Sequence, residues 1–498
     1  MTTVERFQPL FYPRGVVISG VSTHPGKWGF LFLHHLIRFG YGGKLFPLNR
    51  EGAEVLGLRT YRTIDDIPAG EADLLIVCTP TSINVELVRA AGRKGVRATF
   101  VAAAGYGEAG EEGRRLEREL VAAADESGML LAGPNGQGLV STGANLCAQM
   151  VAPYPPRGRI SVASQSGNLV SSFCHYATMT GVGVSKAISC GNSAQLAIDD
   201  YLEYFADDPE TAASFVYVEG VRDGRRFLER VGRYSRRKPL VVLKGGATVL
   251  GQTAASSHTG SLASDDRVFD GIARQLGMAR AETLEEAYEA AATFATQPLP
   301  KGKRVLVFTA AGGWGVLCAD ACVRAGLDVV ALPQDLRSEI DGLLPSRWSR
   351  NNPVDMAGGE SRDTIPKLLD LVTRHPAVDA VIYLGMGIQA ANAQILKTGS
   401  FYPGHGLDRI VAFHERQDAR YAEVAKEVSE RYAKPVMCAS ELAITDRAGT
   451  NPAPQAVAAG GRLLYPSAHR AVRALAHLVR YAEWRRRRDP RESPRLEP

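Results

Sequence analysis

His258 is a lone imidazole in a run of small and polar residues, Lys244-Gly-Gly-Ala-Thr-Val-Leu-Gly-Gln-Thr-Ala-Ala-Ser-Ser-His-Thr-Gly-Ser-Leu-Ala263. A stretch of more than about 12 residues without regular structure is uncommon unless it is functional or disordered. Ser257, Thr259, Gly260 and Ser261 surround the ring, so it belongs neither to an apolar core nor to a metal cluster. Most lone histidines are structural or merely exposed, and His34, His35, His175, His375, His414, His469 and His477 are read that way. His258 is read as a nucleophile. Such an imidazole needs a partner on its other nitrogen, and a carboxylate orients the ring while stabilising its charged product. Glu219 leaves the apolar run Phe215-Val-Tyr-Val-Glu219 where the chain must turn. It is the candidate orienting carboxylate, with helix capping as its alternative role.

Two segments are built to hold an anion. Arg159-Ile-Ser-Val-Ala-Ser-Gln-Ser-Gly167 and Arg304-Val-Leu-Val-Phe-Thr-Ala-Ala-Gly-Gly313 each read as strand, small-residue turn, then helix. The turn leaves unpaired N–H groups at a helix N-terminus, which attract phosphate. Ser164, Gln165, Ser166, Gly167 and Asn168 are the candidates in the first, Gly312, Gly313 and Gly315 in the second. Either turn alone is explained by tight strand–helix packing; two together suggest helix dipoles facing one phosphate.

A third strand–turn–helix opens the chain, Val16-Val-Ile-Ser-Gly-Val-Ser-Thr-His-Pro-Gly-Lys-Trp-Gly29. Gly20 ends the strand, and Gly26 and Gly29 allow close backbone approach. This is not a clean GxGxxG. After the second strand, Leu45-Phe-Pro-Leu-Asn-Arg50 carries Asn49-Arg50 where an NAD enzyme usually has an acid. That suits a phosphate-rich ligand better than a dinucleotide ribose. Val77-Cys-Thr-Pro80 and Gly133-Pro-Asn135 fall at later strand ends, on the edge where α/β sheets bind ligands.

The elements that must position these residues are short apolar runs alternating with amphipathic helices. The runs are Val16–Ser19, Leu74–Cys78, Thr99–Ala102, Ile160–Ala163, Phe215–Val218, Leu240–Leu243, Val305–Phe308, Val329–Leu332, Ala380–Leu384, Ile410–Phe413 and Val436–Ala439. Each predicts a strand buried on both faces, hence parallel sheets covered by helices, an α/β fold. Proline-rich seams at Ala152-Pro-Tyr-Pro-Pro-Arg-Gly158 and Gln297-Pro-Leu-Pro-Lys-Gly302 divide the chain into 1–151, 152–297 and 298–467, with a C-terminal helix and basic tail over 468–498.

With 45% hydrophobic and 22% charged residues the chain can bury a sizeable core, which excludes a disordered protein. A net charge of +5 is small for 498 residues and argues against nucleic-acid binding. Arg485 to Arg488, beside Pro490 and Pro494, read as a solvated tail. The seven cysteines show no CxxC pair and no zinc spacing, so reduced buried thiols are expected and no metal site is assigned. No basic n-region or h-region opens the chain, and no run reaches the roughly 18 apolar residues of a membrane span. A soluble, cytoplasmic protein is expected.

Together these motifs resemble the NDP-forming acyl-CoA ligases, the family of ADP-forming acetyl-CoA synthetase and its relative succinyl-CoA synthetase. The similarity runs from about Phe11 to Leu478, with Ser257-His-Thr-Gly-Ser-Leu-Ala263 its most specific element. Ser164-Gln-Ser-Gly167, Gly191-Asn192, Glu203-Tyr-Phe-Ala-Asp-Asp-Pro209, Glu219-Gly220, Asn352-Pro-Val-Asp355 and Ala471-Val-Arg-Ala-Leu475 support it. The resemblance implies an N-terminal Rossmann-like CoA-binding domain followed by two flavodoxin-like ligase domains. It implies interconversion of acyl-CoA, NDP and phosphate with a carboxylic acid, CoA and NTP, through an acyl phosphate and a phosphohistidine. By match of position His258 would accept the phosphoryl group and Glu219 orient it, while Ser164 to Asn168 and Gly312 to Gly315 cradle the phosphate. Gly20, Ser22, Pro25, Lys27, Asn49, Thr79, Pro80 and Asn135 would lie along CoA. Nothing after Leu478 is long enough to be an ATP-grasp domain. ADP or ATP with Mg²⁺ is therefore expected on a separate ATP-grasp β subunit, in a hetero-oligomer that also takes a small carboxylic acid.

The chain departs from the family at Gly133-Pro-Asn-Gly136, where Gly-Pro-Asn-Cys is frequent, and at Trp314, where proline commonly follows the paired glycines. These departures favour the first rival, a non-catalytic CoA-binding or regulatory homologue, while the intact His258 loop opposes it. An NAD-dependent oxidoreductase, disfavoured by the missing acidic residue after the second strand, is the second rival, and a nucleotide-independent acyl-CoA transferase the third.

Overall fold

The computed structural model describes residues 1–151, 153–253, 265–358, 363–442 and 451–488. It comprises two compact units, Met1–Thr178 with Gly183–Ala287, and Met179–Val182 with Tyr288–Pro498. The architecture is α/β throughout, because runs of four to six apolar residues are buried on both faces only inside parallel sheets flanked by helices.

The first sheet holds β1 (Gly15–Ile18), β2 (Lys44–Pro47), β3 (Leu74–Val77), β4 (Ala98–Val101) and β5 (Leu130–Ala132), all parallel, in the order β2-β1-β3-β4-β5. The second holds β6 (Gly138–Ser141), β7 (Leu146–Gln149), β8 (Arg157–Ser164), β9 (Val184–Ser189), β10 (Ala213–Val218), β11 (Leu240–Lys244) and β12 (Ala279–Ala281). Its order is β12-β11-β10-β8-β9-β6-β7, with β6 antiparallel to both β9 and β7. The third holds β13 (Arg304–Thr309), β14 (Asp328–Val329), β15 (Val354–Asp355), β16 (Ala380–Leu384), β17 (Val436–Ala439) and β18 (Leu464–Tyr465). Its order is β14-β13-β16-β17-β18, with β15 pairing the end of β13.

The parallel part of each sheet is wound alike. The first parallel strand lies between the next one and the one that opens the opposite wing, so a crevice forms at the carboxyl ends where the winding reverses. These crevices lie between β1 and β3, between β8 and β10, and between β13 and β16. They are where the candidate residues of the three strand–turn–helix segments sit.

Residues 138–149, on the N-terminal side of the first proline seam, extend the second sheet as β6 and β7 rather than closing the first. The first two sheets also share one apolar core. Ile18, Ile76 and Phe100 of the first and Ile188 and Val216 of the second are fully buried in a single cluster. Phe7 and Phe11 of the opening helix Thr3–Phe11 stack on Tyr204 with ring centroids 5.0 and 5.1 Å apart. Each buried aromatic of this kind contributes about 1.5–3 kcal/mol. The third sheet has its own core, around Leu306, Phe308, Leu368, Tyr383 and Val436.

Two strand expectations fail in the second unit. Ile410–Phe413 lies inside the helix Leu407–Tyr432, whose buried residues Val411, Asp418, Tyr421, Ala425 and Val428 recur at helical spacing. A four-residue apolar run alone does not distinguish the two. Of Val329–Leu332, only Val329 pairs in a strand. Arg485 to Arg488 are not a free tail but the last turn of the helix Ala468–Arg488, where cations complement the carbonyl end of the helix dipole. Arg486 donates to the Pro300 carbonyl at 2.8 Å. No helix among the described residues is long and apolar enough to cross a membrane.

Candidate active site

The turn after β8 is shaped by its own side chains. Ser164 ends the strand fully buried; its hydroxyl accepts from the Ser166 N–H at 3.1 Å and donates to the Ser166 carbonyl at 2.7 Å. Gln165 pegs the turn to the end of β10. Its Oε1 accepts from the N–H groups of Glu219 (2.5 Å) and Gly220 (3.1 Å), and its Nε2 donates to the Gly220 carbonyl at 3.0 Å. The helix Gly167–Thr180 starts at once, so the positive end of its dipole lies at the crevice between β8 and β10.

Glu219 is only 6% exposed and stands beside this turn. The Tyr217 hydroxyl donates to its carboxylate, and burial, followed by that neighbouring negative charge, raises the Tyr217 phenol above its ordinary value. Gly245 abuts the pair: a Cβ there would lie 3.3 Å from Glu219 Cγ. The Lys244 ammonium donates to the carbonyls of Gly245 (3.1 Å) and Gly246 (3.2 Å) and lies 3.8 Å from Asp266. Burial lowers its pKa below the ordinary lysine value. Lys244, Glu219 and Asp266 thus gather at the residues that precede and follow 254–264. His258 falls in that segment, outside the described residues.

A cleft of about 170 Å³ joins the first two sheets. Gln165 to Asn168 form one wall; Trp28, Ala102, Asn135, Gly136, Gln137 and Met150 form the other, with Gly191 and Asn192 at its end. Gln137 donates to Asn168 Oδ1 at 3.0 Å. A Cβ at Gly167 would overlap the Gln137 side chain, so glycine lets the two walls approach. Asn135 donates to Asn192 Oδ1 at 3.4 Å, and the Asn192 amide donates to Glu108 at 2.5 Å and Glu117 at 2.9 Å. Burial pushes the Glu108 carboxyl up, but Asn192 and the Gly105 and Tyr106 N–H groups outweigh it and hold the carboxyl below its usual range.

The other candidates of the first domain line the carboxyl edge of the first sheet. Gly20 turns the chain with φ +68°. Ser22 accepts from the His24 N–H at 3.1 Å, and Pro25 and Lys27 are exposed just ahead of the helix Trp28–Arg38. Asn49 and Thr79 are engaged in bracing the loops. Asn49 donates to the Val21 carbonyl at 2.8 Å and accepts from the Glu51 N–H at 2.9 Å; Thr79 donates to Asn84 at 2.7 Å. Pro80 caps the helix Thr81–Arg93.

In the second unit the turn after β13 repeats the first. The Thr309 hydroxyl donates to the Ala311 carbonyl and accepts from the Ala311 N–H, both at 2.9 Å, and the helix Gly312–Arg324 follows. Asp355 lies against Gly312, Gly313 faces open space, and Gly315 packs on Thr309 and Pro353. Gly315 therefore serves close helix–strand packing. Asn352 stitches the sheet, accepting from the Val307 N–H and donating to the carbonyls of Val305 and Val330, each at 2.9 Å.

The structure brings Asn135 and the Gln165–Asn168 turn to one cleft, with Glu219 one peg away. Trp28, Gln137 and Asn192 were not among the sequence candidates. Asn192 carried a signal in Gly191-Asn192, a motif without a role until its contacts to Glu108, Glu117 and Asn135 are seen.

Residues 14–141 match the CoA binding domain family, 157–294 the succinyl-CoA ligase like flavodoxin domain, and 305–390 the ligase-CoA domain. The alpha subunit of acetate–CoA ligase [ADP-forming] II of Pyrococcus furiosus is 38% identical over 75% of this chain and 80% of its own. The alpha subunit of acetate–CoA ligase [ADP-forming] I of the same organism is 31% identical over 96% of this chain and 98% of its own. This chain belongs to the NDP-forming acyl-CoA synthetase family. It is a ligase with a Rossmann-like CoA-binding-type domain and two flavodoxin-like domains. Among solved structures of the family, the dinucleotide-forming acetyl-coenzyme A synthetase 1 of Ca. Korarchaeum cryptofilum, in complex with phosphate and ADP, superposes with a TM-score of 0.81 at 29% identity. That match covers 96% of this chain and 97% of the other.

Proposed function

We propose that the chain is the alpha subunit of an NDP-forming acyl-CoA ligase that works through an acyl phosphate and a phosphohistidine on His258. The observation that carries this reading is the cleft in which Asn135 to Gln137 of the first domain face the Ser166–Asn168 helix N-terminus, with Glu219 beside it. A CoA thioester lying along Gly20, Ser22, Pro25, Lys27 and Pro80 would enter that cleft past Trp28. A phosphate oxygen adds to the thioester carbonyl, and the carbon–sulfur bond breaks to give acyl phosphate and CoA thiolate. The helix N–H groups stabilise the phosphate charge without a bulky side chain. His258 then attacks phosphorus; the bond to the acyl oxygen breaks and the carboxylic acid leaves. Glu219 offsets the positive charge that develops on the imidazole. A nucleoside diphosphate finally takes the phosphoryl group, on an ATP-grasp partner subunit that holds Mg²⁺. Support for a partner comes from relatives named as alpha subunits, one matched over 98% of its length.

Phosphopeptide analysis after mixing the chain with its ATP-grasp partner, Mg²⁺ and ATP tests the reading. Acid-labile phosphate on the His258 peptide is expected, and Glu219→Gln should form it about tenfold or more slowly, since a hydrogen bond to a charged group is worth about 1.5–3 kcal/mol. CoA binding without any phosphohistidine would replace this reading with a regulatory homologue.

A further inference from the structure

A second cavity, of about 250 Å³, opens between the loops that follow β9 and β10. It shares only Gln165 with the cleft described above. Ile198, Val218, Val221 and Phe227 give it an apolar floor, and Ser193, Arg222 and Arg226 a polar wall. One buried atom of that wall, Ser193 Oγ, has no hydrogen-bond partner among the described residues, whereas Arg226 Nε lies 2.8 Å from Asp199 Oδ2. Ser193 is 4% exposed and adopts φ +55°, a left-handed backbone uncommon outside glycine. Buried polar groups are nearly always satisfied, and this hydroxyl can donate. An unsatisfied hydroxyl on a cavity wall beside the Arg222 guanidinium marks the place of an acceptor.

The acids nearby are already matched. Asp199 lies 2.8 Å from Arg226 and 3.2 Å from Arg230, and both arginines also pair with Asp200. Asp223 accepts from the Arg226 N–H at 3.0 Å and so caps its own helix. Arg222 reaches the Asn192 carbonyl at 2.9 Å and Glu117 only at 3.5 Å. The Ser193 hydroxyl and the half-exposed Arg222 guanidinium are the donors left facing the space.

We propose that this cavity binds a small organic carboxylate, its oxygens accepting from Ser193 and Arg222 and its hydrocarbon part resting on Ile198, Val221 and Phe227. At the roughly 30 Å³ that a water occupies in the liquid, the space takes a ligand on the order of eight non-hydrogen atoms. Gln165, bonded to both polar groups of the Gly220 backbone, stands between this cavity and the cleft. The bound carboxylate is therefore an effector, not the acid being activated, and its contact with Gly220 acts one residue from Glu219.

The test uses the full chain and ¹⁹F NMR titration with 3,3,3-trifluoropropanoate, repeated in the presence of inorganic phosphate. Ser193→Asn keeps a residue that tolerates the left-handed backbone while filling the cavity mouth; Arg222→Met removes a guanidinium that is half exposed. Saturable binding is expected, weakened about tenfold or more in each variant with melting temperatures unchanged, and insensitive to equimolar phosphate. Absence of saturable binding to the parent chain, equal affinity in both variants, or displacement by equimolar phosphate would each overturn the proposal. Should Ser193→Asn melt early, Arg222→Met alone decides.

Discussion

Gly136 faces the Phe100 ring: a Cβ there would lie 2.6 Å from Phe100 Cζ and 2.9 Å from the Ser189 carbonyl oxygen. The cysteine frequent at this position in the family therefore has no room here unless the ring moves. Phe100 is fully buried in the shared core, so moving it strains both sheets. Gly136→Cys should lose about 1–3 kcal/mol of stability in denaturant unfolding, the usual cost of overpacking. Adding Phe100→Leu should recover part of that loss, because the two side chains compete for one space. Strictly additive losses would mean that the two do not compete.

At the scale of elements, the same device appears at Ser164 and Thr309, where a strand-ending hydroxyl fastens both polar groups of the residue two positions on. This fixes the turn before the helix starts and leaves the first helical N–H groups available. Ser164→Ala removes two hydrogen bonds of about 1 kcal/mol each. It should weaken inorganic phosphate binding by roughly tenfold, measured by calorimetry, with a modest fall in melting temperature. Unchanged phosphate affinity would move the anion site away from this turn. The turn was legible in Ser164-Gln-Ser-Gly167, since small residues at a strand–helix junction have few other uses. The reach of Gln165 to Glu219 and Gly220 was not, because 54 and 55 residues separate the partners.

At the scale of the whole molecule, a buried ionic cluster ties the start of the chain to the second sheet. Lys186, fully buried on β9, lies 2.9 Å from both Asp208 and Glu210, while Tyr12 donates to Glu210 and Arg157 reaches it at 2.7 Å. Burial pushes the Glu210 carboxyl up, but Tyr12, Lys186 and Arg157 outweigh it and lower it to about 2. An unfolded glutamate titrates near about 4.3. Because the folded value is the lower one, Glu210 contributes stability that is complete above about pH 4.3 and is lost as pH falls towards about 2. Glu210→Gln should be less stable than the parent chain at neutral pH, and the gap in melting temperature should narrow between about pH 5 and pH 3. Parallel pH profiles would remove Glu210 from acid unfolding.

Residue types and their local spacing determined the α/β class, three strand–turn–helix segments and the family, because each depends on contacts within about a dozen residues of chain. His258 is proposed on the same kind of signal, a lone imidazole among small hydroxylic residues. Only the tertiary structure decided which turns meet. It set Gln137 and Asn135 opposite Gly167 and Asn168, placed Asn192 between Glu108 and Glu117, and gave β6 and β7 to the second sheet. It also showed Asn49 and Thr79 engaged in loop bracing and Gly315 in packing. Such partners are dozens of residues apart, and their choice rests on burial and hydrogen-bond satisfaction summed over a whole core, which no local pattern encodes.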